Sequence, residues 1–75
     1  MTELAKTNLA ITLLLAVRGL WDRANEHGVT LSDFQHYKEV KAILDSYEQH
    51  EKPMDDIEDW LEAFDLIAEL YTEII

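Results

Sequence analysis

The sequence predicts an all-α protein, a three-helix up-down-up antiparallel bundle completed by dimerisation. Apolar residues recur at spacings of three and four along most of the chain, the helical period. Glycine occurs twice and proline once in 75 residues, so helix breaks are few and centre on Gly28 and Pro53. The hydrophobic content of 48% suits a packed core, while the absence of cysteine removes disulfides and thiolate zinc sites as staples. A chain this short buries only about 60% of the surface its unfolded form exposes. Association with another chain is the natural supplement to so small a core.

The first helix is expected over residues 3–27. Leu4, Leu9, Ala10, Leu13, Leu14, Val17, Leu20, Trp21 and Ala24 carry the period. Gly28 suits the left-handed position just past a helix end, from which Val29 folds back on Ala24. Gly19 inside the helix costs about 1 kcal/mol relative to alanine. It reads as a tolerated surface glycine, with close approach of another helix as the alternative.

The second helix is expected over 31–50. Ser32 with Gln35 matches a capping box, and Thr30 with Asp33 is a rival cap. Phe34, Tyr37, Val40, Leu44 and Tyr47 form its inward stripe, with Ile43 at the edge. The third helix is expected over 53–75. Pro53 suits a first helical position, and Asp55 and Asp56 suit the positive end of the helix dipole. Ile57, Trp60, Leu61, Phe64, Ile67, Ala68, Tyr71 and Ile74 form the expected inward stripe. All three helices come out at roughly 30–36 Å, in one domain with no linker, repeat or low-complexity segment.

Two helices hold more apolar residues than one buried face requires. Leu4, Ile11 and Leu15 align on a second stripe of the first helix, and Leu66, Leu70 and Ile75 stand beside the inward face of the third. Contiguous surplus apolar surface marks an interface, most often that of a symmetric homodimer.

Charge is distributed as unevenly. The chain has 16 acidic and 6 basic residues, a formal net charge of −10. Residues 1–28 hold three of each sign, and residues 53–75 hold eight acids and no base. Asp55, Asp59, Glu62, Glu69 and Glu73 follow helical spacings along one outer line, which Glu58 and Asp65 widen. Glu69 and Glu73 also sit at the negative end of the helix dipole, where acids are unfavourable. This ridge is therefore expected to meet a protein partner with a basic patch, assisted by Leu15, Leu66 and Leu70. Imitation of a nucleic-acid phosphate backbone is the alternative use of the same ridge.

A field of this sign repels phosphate backbones and anionic lipid, so neither direct nucleic-acid binding nor a membrane surface is expected. The longest apolar run, Leu9 to Val17, is broken by Thr12 and is far short of the ~20 residues of a span. It also lacks the flanks of a signal peptide, and a cytoplasmic location is expected. A helix-turn-helix reader needs basic residues that the third helix does not supply.

Glu48-x-x-Glu51 followed by Glu62-x-x-Asp65 resembles the paired acidic motifs of all-helical nucleotide pyrophosphatases of the MazG type, a resemblance that implies magnesium-dependent hydrolysis. The gap between the pairs is shorter than that family uses. Glu62 also lies some 13 Å along its helix from the turn that carries Glu51, so the four carboxylates are not expected to converge. His27, His36 and His50 are expected in solvent, with no nucleophilic constellation, phosphate loop or EF-hand loop around them. The expectation is a non-enzymatic binding factor without metal or cofactor. It would resemble phage- or plasmid-type inhibitors and adaptors in class.

Overall fold

The computed structural model describes residues 1–74 and consists of three α-helices with no strand among those residues. The expected contribution of Ile75 lies outside them. Helix α1 runs Glu3–His27, α2 runs Gln35–Glu48 and α3 runs Ile57–Glu73, with a 3₁₀ turn at Leu31–Asp33.

Local chemistry sets the ends of α1. The Thr2 hydroxyl accepts from the Ala5 amide at 3.1 Å and caps the start. Gly28 takes the left-handed conformation (φ 66°) that ends the helix, and Val29 N–H returns to the Ala24 carbonyl at 3.0 Å.

The next two helices start later than the sequence suggests. Leu31 is completely buried and draws the short 3₁₀ turn into the core, after which extended Phe34 separates that turn from α2. Neither Ser32 nor Thr30 makes a capping bond, because the helix starts beyond both. α2 closes on His50, a left-handed residue at φ 57°, with Glu51 N–H bonded to the Ser46 carbonyl.

Pro53 does not begin α3. The chain instead turns at Met54, also left-handed at φ 55°, and drives that side chain into the core. The Trp60 indole N–H donates to the Met54 carbonyl at 2.9 Å, which satisfies a buried acceptor and fixes the turn. Asp56 then caps α3 by accepting from Glu58 N–H at 3.1 Å. The helices therefore have 25, 14 and 17 residues rather than near-equal lengths, and the molecule measures 38 × 18 × 18 Å.

α3 packs against both other helices, whereas α1 and α2 touch each other least. That placement decides which face of α3 is core. Trp60, Ala63, Ile67, Leu70 and Ile74 are buried, at spacings that alternate three and four. Ile57, Leu61 and Ala68, expected inside, are exposed, and Leu70, expected outside, has no exposure at all. Apolar residues cover more than half of this helix, so their period alone does not locate the centre of the buried face.

α1 differs in the same way. Lys6, Leu13, Leu20 and Ala24 face the core, while Leu4, Leu14 and Trp21 are exposed. Trp21 keeps an edge-to-face contact with Tyr37 of α2 at 5.8 Å. Gly19 is a site of close approach: a Cβ there would lie 2.6 Å from the Tyr71 hydroxyl.

Candidate functional site

The side of α1 turned away from the core carries a row of exposed large apolar residues. Leu4, Ile11, Leu14, Leu15 and Trp21 are between 42% and 71% exposed, with Thr7, Arg18 and Asp22 exposed among them. Leu13 and Leu20, on the opposite side of the same helix, belong to the core. Ile57 and Leu61 extend the exposed apolar surface onto α3. Ile57 lies two heptads before Tyr71, whose hydroxyl faces Gly19, so this edge of α3 is the one toward α1. By length and composition, α1 contains an 18-residue stretch apolar enough to cross a membrane.

The expected interface residues separate into different environments. Leu15 is 63% exposed and lies on the α1 face. Leu66 is partly buried against the core, and Leu70 lies inside it, so Leu70 is corrected from interface to core. The surplus apolar surface is thus mainly on α1.

The acidic line on α3 is also broken into parts. Asp55 lies just before the helix and accepts from the Lys6 ammonium at 2.8 Å. Lys6 is only 7% exposed, and it also reaches the Pro53 carbonyl at 3.3 Å and Glu3 at 2.9 Å. Asp55, and then Glu3, hold the Lys6 ammonium above the ordinary lysine range, and Lys6 in turn lowers Asp55. Asp59 pairs with Lys52 at 3.3 Å. Glu69 and Glu73 flank the His36 ring: Nε2 lies 3.1 Å from one carboxylate and Nδ1 2.5 Å from the other. Both ring nitrogens thus face carboxylate oxygens at the end of α3 where the helix dipole disfavours acids. His36 is therefore half-buried and engaged, not a solvent histidine.

Glu58, Glu62 and Asp65 remain exposed, with no ion-pair partner among the described residues. They lie together on the part of α3 farthest from its buried stripe. This patch is what is left of the longer ridge as a free acidic surface.

No family model, curated protein or solved structure matches this chain. The reading of its surfaces rests on the residues themselves.

His36, Glu69 and Glu73 bring one nitrogen and two oxygen donors within 4.8 Å of one another, the group among the described residues that could hold a divalent cation. Their mutual ion pairs account for the same arrangement. Glu48, Glu51, Glu62 and Asp65 form no such group, since the first two belong to the end of α2 and the turn after it. The recess lined by Glu3, Lys6, Tyr47, His50, Lys52 and Pro53 has about 240 Å³, below the usual size of a ligand pocket. Arg23 lies over the Tyr71 ring at 5.7 Å and packs there as a cation–π partner. Sequence reasoning missed the Lys6 and His36 pairings, which join residues 49 and 37 positions apart. No local pattern encodes contacts at that separation.

Proposed function

We propose that this chain is a small non-enzymatic protein-binding factor of the adaptor or inhibitor type that acts in the cytoplasm as a homodimer. The observation that carries the reading is the segregation of its surface. α1 offers exposed apolar residues on a segment whose formal charges cancel, and Glu58, Glu62 and Asp65 form an unpaired acidic patch on α3. Apolar area supplies affinity, while charge supplies partner choice and association rate.

In this reading the bundle is up-down-up and is completed by pairing of two copies through α1. Three contacts support the arrangement. Lys6 and Asp55 bring the starts of α1 and α3 together. His36 with Glu73, and Tyr47 with Trp60 at 5.2 Å, join the two ends of α2 to the opposite ends of α3. Each dimer then presents two patches of Glu58, Glu62 and Asp65 to a basic protein target.

Extracts of the native host, passed over the immobilised chain, test the second step. Proteins retained by the wild type and identified by mass spectrometry should be lost on Glu58→Lys/Glu62→Lys/Asp65→Lys. Their retention should also weaken steeply with salt, as exposed charge pairs are screened within about 10 Å at 0.1 M. Equal retention by the triple variant would remove the acidic patch from the proposal. Nucleotide hydrolysis with magnesium or manganese should be undetectable, and turnover abolished by Glu62→Gln would replace the binding reading with an enzymatic one.

A further inference from the structure

The order of residues along the exposed face of α1 dictates how two copies fit. Resting on the reading of α1 as a self-association face, we propose that the chains pair through α1 antiparallel, with Leu4 of one copy against Trp21 of the other and Ile11 against Leu14. Leu4, Ile11 and Arg18 are seven apart, as are Thr7, Leu14 and Trp21, and all six are exposed. The two sets alternate by three and four, which makes them one coiled-coil seam.

Read in either direction, this seam has the same polarity: apolar, polar, apolar, apolar, polar, apolar. A surface with that symmetry is complementary to its own reversed copy, the requirement of an isologous two-fold contact. Antiparallel pairing sets Leu4 on Trp21, Thr7 on Arg18 and Ile11 on Leu14, each twice, with the axis between Ile11 and Leu14. Arg18 then meets the Thr7 hydroxyl, a hydrogen-bonding partner, rather than a second guanidinium. Leu15 flanks the seam and widens the covered area.

Parallel pairing sets every residue against itself. It opposes two Arg18 guanidiniums between apolar layers, a desolvated like-charge contact. The charge distribution also selects a second copy as the occupant. Each chain carries −10, yet residues 1–28 sum to zero and residues 53–75 hold eight acids. Contact through α1 brings two repelling molecules together on the segment whose formal charges cancel.

Because the chain has no cysteine, disulfide trapping reads the register directly. Leu4→Cys and Trp21→Cys chains, mixed and oxidised, should cross-link to each other, and each alone should cross-link little. Thr7→Cys with Arg18→Cys repeats the test at positions that leave the Trp21–Tyr37 contact intact. Ile11→Asp, which enters the centre of the seam twice, should raise the dissociation constant at least ~100-fold with helicity retained. Self-cross-linking of each single variant in a wild-type-like dimer would overturn the register and leave self-association standing. Sedimentation as an 8.7 kDa monomer would overturn both. So would a monomeric chain that floats with phosphatidylcholine vesicles, since lipid would then cover the face.

Discussion

Gly19 of α1 lies directly against the Tyr71 side chain of α3. The Tyr71 hydroxyl occupies the space a side chain at position 19 would need, whereas the ring carbon behind it lies 3.9 Å from that point. Gly19→Ala should therefore gain little or lose stability in the wild type, because the tyrosine must move. In a Tyr71→Phe background the same change should stabilise by about 1 kcal/mol, the helix-propensity difference between the two residues. Denaturant unfolding of the four proteins measures the coupling, and simple additivity would contradict the packing. The Lys6–Asp55 pair has a pH signature. Asp55 is lowered in the folded chain, so its contribution is present above its ordinary value of 3.8 and disappears as pH falls through the lowered one. Lys6 is raised, so its contribution persists through the ordinary lysine value of 10.5 and disappears only above it. The stability difference between wild type and Asp55→Asn should be constant near neutrality and shrink below pH 3.8, followed by unfolding at several pH values. A difference that does not change with pH would show that the pair contributes nothing.

The helices differ in what starts them. α3 has a side-chain cap at Asp56, and α2 has none. Asp56→Ala should cost about 1 kcal/mol, and Asp56→Asn should recover most of that, since asparagine caps as well. Ser32→Ala should change stability by less than about 0.5 kcal/mol, despite the capping-box spacing with Gln35. Thermal or denaturant unfolding of the three variants separates the structural start of each helix from the one its sequence suggests. The same comparison explains why both helices start later than their capping patterns suggest. Capping patterns recur wherever Ser, Thr and Asp precede apolar residues, and the choice among them belongs to the core. Leu31 and Met54, both buried, pull their segments inward and move each helix start downstream.

On the scale of the molecule, a core shared among three unequal helices leaves one side of α1 bare. In the proposed dimer, self-association would add the burial that a chain of this length lacks, so the melting temperature should rise with protein concentration. Calorimetry over a wide concentration range measures this, and Ile11→Asp should abolish the dependence. A melting temperature independent of concentration in the wild type would contradict pairing. Net charge of −10 opposes the same association, so added salt should favour it. That response is opposite in sign to the one expected for docking of a basic target on Glu58, Glu62 and Asp65.

The helical class, the extent of α1 and the left-handed Gly28 follow from the sequence alone, because they depend on short-range period and on residues with restricted or special backbone freedom. The concentration of acids near the end of the chain is equally a property of the sequence. Tertiary structure decided which apolar stripe became core, which acids kept a free carboxylate and where α2 and α3 begin. Leu70 went inside and Leu14 outside because α3 lies between its neighbours and α1 does not. Asp55, Glu69 and Glu73 met Lys6 and His36 across distances in sequence that no local rule spans. Periodicity specifies how far a helix runs, and only packing against other elements specifies which way it faces.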